Sequence, residues 1–160
     1  MTSSRLPGAV ITVSDRAAAG TREDLSGQLA AELLEAGGWS AAVEVVPDDV
    51  DEIVAATRRA VAEGARLVVT TGGTGLSPRD VTPEAMDALL QREIPGLAEE
   101  IRRVGLAKLP QAMLSRGRAG VVDRALVVNL AGSPGAVRDG IPVILQVAAH
   151  VAAQLDGQDH

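Results

Sequence analysis

Leu67-Val68-Val69-Thr70-Thr71-Gly72-Gly73-Thr74-Gly75-Leu76-Ser77-Pro78-Arg79-Asp80-Val81-Thr82-Pro83-Glu84-Ala85 is the stretch on which the reading of the fold turns. Its apolar head, together with the preceding Arg66, reads as a buried strand over Arg66–Thr70. Its tail reads as a helix start, with Thr82 as N-cap, Pro83 at the first helical position and Glu84 in the first turn. Between them, three glycines within four residues leave the backbone without side chains, so a bulky anion can approach its N–H groups closely. Thr70, Thr71, Thr74 and Ser77 add hydroxyls, Arg79 a forked cation for phosphate or carboxylate, and Asp80 a hard oxygen suited to Mg²⁺. Taken alone, Gly-Gly-Thr-Gly fits equally well as a plain strand-to-helix turn with Asp80 as a local cap.

Outward from this loop the same alternation recurs. Gly8–Val13 is a nearly all-apolar run, as a strand buried on both faces of a parallel sheet requires. It leaves into a polar loop, Ser14–Asp24, after which Leu25, Leu29, Leu33 and Leu34 recur at helical spacing, with Asp24 as N-cap and Gly37-Gly38 as stop. Ala42–Val46 is a second strand, ended by Pro47. Asp48 follows, then a helix with Val50, Ile53, Val54, Thr57 and Val61 on one face, opened by Asp49 and Glu52 in a capping-box-like arrangement. Beyond the central loop, helices are expected at Pro83–Leu90 and around Leu97, Ile101 and Val104, broken by Glu93-Ile94-Pro95-Gly96. Glu100, Arg102 and Arg103 read as a solvated, ion-paired face. Ala125–Leu130 is the last clear strand. It runs into Ala131–Gly135, where Ser133 caps and Pro134 opens a helix whose apolar stripe extends from Val137 to Leu155, and Pro142 is expected to kink or interrupt that helix near its first turns. The tail Gly157-Gln158-Asp159-His160 reads as disordered. The alternation predicts an α/β fold, a three-layer α/β/α sandwich with a mainly parallel central sheet, as one domain over residues 1–160 with an ordered core of about 6–156.

Composition narrows the function classes. A formal charge of −6, one Trp and no Phe or Tyr disfavour a nucleic-acid partner, which calls for basic surface and stacking platforms. The absence of Cys excludes disulfides, thiolate metal sites and a Cys nucleophile. The segment Met1–Arg5 lacks the apolar core of a secretory signal and no run reads as long enough to span a bilayer, so a soluble, cytoplasmic protein is expected. There is no Gly-x-x-x-x-Gly-Lys-Ser/Thr string and no Gly-x-Gly-x-x-Gly after the first strand; His150 reads as lying on a helix and His160 in the tail, so neither suggests catalysis or a metal cluster, and a Ser-His-Asp arrangement has nothing to build on. What remains is informative. The polar or glycine-rich stretches Ser14-Asp15-Arg16, Pro47-Asp48, Thr71–Asp80 and Asn129–Gly135 all leave the ends of strands, which in an open parallel sheet lie along one edge. Acids, amide-rich loops and a few arginines converging there suit a nucleotide phosphate held with Mg²⁺, and phosphoryl chemistry needs little beyond positioning and charge neutralisation.

Thr-Gly-Gly-Thr-Gly followed by Pro-Arg-Asp-Val-Thr-Pro-Glu resembles the signature of the molybdenum-cofactor proteins of the MogA/MoaB type, the group that includes the G domain of gephyrin. The resemblance extends from Ala9 to about Leu155: Ser14-Asp15-Arg16 after the first strand, Asp48 after Pro47, Met113-Leu114-Ser115-Arg116 before Ala119-Gly120, and Gly132-Ser133-Pro134-Gly135, with Ala131 where a Pro is usual. It implies a single molybdopterin-binding domain that transfers AMP from Mg-ATP to the terminal phosphate of molybdopterin and releases pyrophosphate. It also implies roles for residues. Thr71, Gly72, Gly73, Thr74 and Gly75 would cradle nucleotide phosphates, with Ser14 and Asp15 nearby, and Gly132, Ser133, Pro134 and Gly135 would form the opposite wall. Asp48, selected over the capping Asp49 by the resemblance alone, and Asp80 would be the catalytic acids and Mg²⁺ ligands, and Ser115 and Arg116 would meet the phosphate end of the pterin. Relatives of this type are homotrimers that precede a molybdenum-insertion protein. Two other readings share the fold: a MoaB-like pterin-binding protein that does not adenylylate, and a CinA-like nucleotide pyrophosphatase.

Overall fold

The computed structural model describes residues 4–158, so the expectations for Met1–Ser3 and for Asp159 and His160 fall outside the described residues. Four strands run parallel: β2 (Ala42–Val46), β1 (Gly8–Val13), β3 (Leu67–Thr71) and β6 (Ala125–Leu130). Two shorter strands, β5 (Ala119–Val122) and β4 (Arg92–Glu93), extend the sheet by antiparallel pairing to give the order β2-β1-β3-β6-β5-β4. The sheet is therefore mixed at one edge and parallel elsewhere. The reversal at β5 follows from the link to β6: only Asp123 and Arg124 separate the strands, too few for a crossover, and Asp123 takes φ 51° to close the hairpin. Gln91 clamps that turn, donating to the Asp123 carboxylate and accepting from its amide.

The apolar runs of β1, β3 and β6 are buried on both faces because helices cover both. Val10, Leu67, Val69, Leu126, Val128 and Leu130 pack with α2 (Leu25–Ala36), α5 (Pro95–Leu106), α6 (Pro134–Leu145) and α7 (Ala148–Leu155). Ile11, Val13, Val68 and Val127 pack on the other side with α3 (Val50–Ala62) and α4 (Thr82–Leu89). With no Phe or Tyr, the layers close on Ala, Val, Leu and Ile, and small residues such as Ala30, Ala56 and Ala85 let helix and sheet approach closely. Trp39, 2% exposed, is the one large aromatic and sits beneath α2.

Local structure follows the expected caps in several places: Asp24 accepts from Gly27, Asp49 from Glu52 and Ser133 from Ala136. Four details differ from expectation. The polar loop after β1 contains one helical turn, α1 (Asp15–Ala18), capped by the Ser14 hydroxyl. Pro142 sits inside α6 without ending it, since Val137 and Ile141 before it and Ile144 after it are all buried and hold both turns to the sheet; the chain breaks instead at Gln146–Val147, before α7. Gly157 and Gln158 are ordered by α7: their amides return to Gln154 and Ala153 in a Schellman closure, with Gly157 at φ 77°. The segment Pro134–Leu155 is, contrary to expectation, long and apolar enough by length and composition to cross a membrane. Its break and the burial of Val137, Ile141, Ile144, Ala148 and Ala152 against the sheet make it a core element.

Strand order sets the location of a site. From β1 the chain passes through α2 on one face to the outer strand β2; from β3 it passes to α4 on the other face. The loops leaving β1 and β3 thus diverge at adjacent carboxyl ends, which opens a crevice.

Leu34 is fully buried between α2 and the sheet, close to the indole of Trp39 in the same cluster. Leu34→Ala is expected to lower stability by about 2–5 kcal/mol, read from denaturant titration followed by Trp39 emission.

Candidate functional site

The crevice is a cavity of about 750 Å³ whose walls come from the exits of every parallel strand. Ser14 follows β1, Asp48 follows β2, Thr71 ends β3 and Gly72–Gly75 and Asp80 follow it, and Gly132–Gly135 follow β6; Ser115 enters from the segment before β5. Residues far apart in sequence are thereby brought together as the strand-exit pattern anticipates.

The glycine loop is shaped by close approach. Gly72 has φ 102° and Gly73 φ 70°, conformations that side chains rarely adopt. A Cβ on Gly72 would stand 2.2 Å from the Val13 carbonyl oxygen, and one on Gly132 3.0 Å from the Gly72 Cα, so the exits of β1, β3 and β6 touch at this point. The Gly72 amide donates to the Leu130 carbonyl at 2.9 Å. Thr82 has a different role from the N-cap expected of it. The helix begins at Thr82 itself, and its buried hydroxyl donates to the Gly72 carbonyl at 2.9 Å while its amide donates to the Gly73 carbonyl at 3.1 Å. Thr82 closes the loop back on itself rather than capping α4.

Two carboxylates face this loop. Asp48 Oδ2 accepts from the Asp15 amide at 2.9 Å, and Oδ1 lies 3.2 Å from where a Cβ of Gly73 would stand. Asp80 Oδ2 accepts from the Ser77 amide at 3.0 Å and lies against Gly75. Partial burial, with the neighbouring charges of Asp15 and Asp80, pushes the Asp48 carboxyl above the usual aspartate range. Asp15 does not line the cavity. Arg79 grips it with two hydrogen bonds of 2.9 Å, which together with the Asp48 amide hold its carboxyl below the usual range.

Arg116 likewise stands behind the wall rather than in it. Its guanidinium donates to the Gly75 and Asp80 carbonyls, each at 2.9 Å, and pairs with Glu84 at 2.6 Å, lowering the Glu84 pKa. Its amide donates to the Thr74 carbonyl at 2.8 Å, so Arg116 braces the whole Thr74–Asp80 segment. Ser115 does face the cavity, with its hydroxyl 3.4 Å from that of Thr74. Arg102 and Arg103 separate in role: Arg103 makes the expected surface pair with Glu100, whereas Arg102 turns inward and donates to the Gly117 and Ser115 carbonyls.

Several lining residues were not singled out as site residues from the sequence. Thr12 donates to Asp24 at 2.7 Å, so Asp24 both caps α2 and forms part of the wall. Asn129, 3% exposed, donates to Thr70 and accepts from the Arg118 amide at the cavity floor. The Lys108–Asp139 pair marks the far end. For Asp24, the acid placed just before Ser26-Gly27 was the available clue; Asn129 opens a stretch already expected at the strand exits, and for Thr12, inside an apolar strand, the clue was polarity where the sheet demands none.

Residues 9–150 match the family described as 'Probable molybdopterin binding domain'. The chain is 38% identical over 153 residues to the molybdenum cofactor biosynthesis bifunctional protein of Chlorobaculum tepidum, covering 95% of this chain and 49% of that protein. It is 40% identical over 147 residues to the molybdopterin adenylyltransferase of Pyrococcus furiosus, covering 89% and 86%. A solved molybdopterin biosynthesis protein from Mycobacterium abscessus superposes with a TM-score of 0.89 at 48% identity, covering 94% of this chain and 96% of that one. The chain spans about half the length of the bifunctional relatives that it matches.

Gly72→Ala is expected to cost about 1–3 kcal/mol from backbone conformation alone, before the clash with Val13. Gly135→Ala, where a Cβ meets nothing inside a helix, is expected to be neutral or slightly stabilising; thermal midpoints of the two variants test the contrast. A second expectation concerns Asp48. Because its folded pKa is raised, its ionised form weakens the fold above that pKa, and the penalty disappears as pH falls below the unfolded value. Asp48→Asn should therefore be at least as stable as the unmodified chain at neutral pH, with the advantage vanishing in acid, as measured by denaturant titration across pH.

Proposed function

The chain belongs to the family of probable molybdopterin-binding domains, and on that premise we propose that it is a molybdopterin adenylyltransferase. It transfers AMP from ATP to the terminal phosphate of molybdopterin and releases pyrophosphate. The observation that carries this reading is that Asp48, Asp80 and the Gly72–Gly75 loop meet in one crevice at the switch in strand order.

The residues suit the chemistry. Glycine-loop amides and the positive end of α6 behind Ser133 offer dipoles to phosphate oxygens without a bulky side chain between. Two carboxylates of the wall, Asp48 and Asp80, stand beside that loop. Mg²⁺ in nucleotide enzymes is commonly held by one or two carboxylates together with substrate phosphates. Among the described residues no cluster of three or more His, Cys, Asp or Glu could hold a metal by itself. Asp48 and Asp80 each keep one carboxylate oxygen free of hydrogen bonds from the described residues, so they fit the two-carboxylate mode. Mg²⁺ held there would neutralise phosphate charge as it builds up on the leaving pyrophosphate.

In the reaction, a phosphate oxygen of molybdopterin attacks the α-phosphorus of ATP. A new P–O bond forms there as the α–β anhydride bond breaks, and the electron pair leaves with pyrophosphate. The attacking oxygen is already ionised at neutral pH, so the absence of a strong base from the crevice is no obstacle. Ser115 and the Gly132–Gly135 wall would hold the pterin phosphate in line. The same reading includes a cytoplasmic homotrimer and delivery of the adenylylated product to a molybdenum-insertion protein; sedimentation of the purified chain tests the former.

Asp80→Asn is expected to fold normally and to lose about two to three orders of magnitude in turnover, the scale of removing one preorganised electrostatic group. Labelled AMP transfer to molybdopterin is the measurement, and undiminished transfer in that variant would remove Asp80 from the mechanism. Pyrophosphate-bond cleavage with no pterin present would favour a pyrophosphatase instead.

A further inference from the structure

The exits of β1 and β2 are joined by a reciprocal pair of hydrogen bonds. The Asp15 amide donates to Asp48 Oδ2 at 2.9 Å, and the Asp48 amide donates to Asp15 Oδ1 at 3.0 Å. Just before it, the Ser14 amide donates to the Val46 carbonyl, so the pair prolongs the parallel ladder past the ends of the strands. A third segment then locks the arrangement. Arg79, from the loop after β3, reaches both oxygens of Asp15 through Nε and Nη2 at 2.9 Å each, in the fork geometry that fixes a carboxylate plane. Three strand exits are thus linked in series, Arg79 to Asp15 to Asp48, and the last member is the one that lines the cavity.

We propose that Arg79 and Asp15 are positioning residues that set the Asp48 carboxylate against the glycine loop, so that Arg79 governs adenylyl transfer through Asp48 rather than by touching the ligand. The proposal rests on the adenylyl-transfer reading. Holding Oδ2 on the Asp15 amide leaves Oδ1 beside Gly73, where a phosphate-bound cation would sit. Arg79 also screens the mutual repulsion of two acids that would otherwise drive the carboxylates apart. The alternative is a surface ion pair that merely staples loops. The Arg79 side chain is 66% exposed, and such pairs contribute about 0–1 kcal/mol to stability, so the fold does not depend on it. Its consequence should appear in turnover, because a misplacement of about 1 Å at a reacting centre costs on the order of a hundredfold.

The test compares Arg79→Ala, Asp15→Ala, Asp15→Asn, the Arg79→Ala/Asp15→Ala double variant and Asp48→Asn in AMP transfer with Mg-ATP and molybdopterin. Thermal midpoints and the amide resonances of Asp15 and Asp48, recorded without ligand, are followed in parallel. The expected result has four parts. Arg79→Ala and Asp15→Ala each lose at least about tenfold in kcat, with smaller changes in KM. Their double variant falls no further than the worse single one. Asp15→Asn, which keeps an oxygen for the Asp48 amide, retains more activity than Asp15→Ala. In Arg79→Ala the midpoint is unchanged while the Asp48 amide shifts upfield and exchanges faster. The proposal is overturned by full kcat in Arg79→Ala, by losses that multiply in the double variant, by a loss confined to KM, as direct contact with ligand phosphate would give, or by unmoved amide resonances. Asp48→Asn separates the two levels. Full turnover in that variant brings down the function on which the relay rests, whereas an inactive Asp48→Asn beside a fully active Arg79→Ala brings down the relay alone.

Discussion

Everything at the carboxyl edge of the sheet depends on how closely three backbones meet at Gly72. Its amide is held by the Leu130 carbonyl, its carbonyl by the Thr82 hydroxyl, and its Cα faces Val13 on one side and Gly132 on the other. No side chain fits between these neighbours, so the glycine lets β1, β3 and β6 end together. It also leaves the loop amides uncovered for an anion. Packing and recognition are here one constraint: relieving the crowding with a larger residue would move the loop that the ligand needs.

The electrostatics follow from that geometry. The chain carries a net charge of −6, yet its crevice is proposed to take polyanionic substrates. The basic side chains around the crevice are largely engaged in holding loops: Arg79 on Asp15, Arg116 on Glu84 and two carbonyls, Arg102 on two carbonyls, Lys108 on Asp139. Fixed dipoles and Arg22, which also lines the crevice, are left for the proposed phosphate, and Asp48 and Asp80 for the proposed cation. On the proposed function, such a site would favour an anion that arrives with its metal ion over a bare one. The raised pKa of Asp48 comes first from its partial burial and then from the neighbouring charges of Asp15 and Asp80, and a bound cation would relieve it.

Much of this was legible in the order of residues, for identifiable reasons. Caps at Asp24, Asp49 and Ser133 are local, so the residue and its partner three positions on suffice to reveal them. The apolar runs of β1, β3 and β6 announced a sheet covered on both faces. Thr82 was misread because its side chain serves a backbone ten residues back rather than the turn it begins. Arg102 and Arg103 are adjacent and alike on paper, and only the packing of α5 sends one inward and leaves the other in water. The exchange between Asp15 and Asp48 spans thirty-three positions, and nothing in either neighbourhood records it.

The sequence by itself determined the element types, the mainly parallel α/β architecture and the glycine loop, because periodicity, caps and glycine spacing act over a few residues; Asp48 was singled out from Asp49 only by family resemblance. Only the tertiary structure decided which polar side chains look into the crevice and which stand behind it. That choice separates Asp48 from Asp15 and Ser115 from Arg116, and neighbours in sequence cannot make it. It is made where separate strands end side by side, by which hydrogen-bond partner the next strand's exit brings within reach.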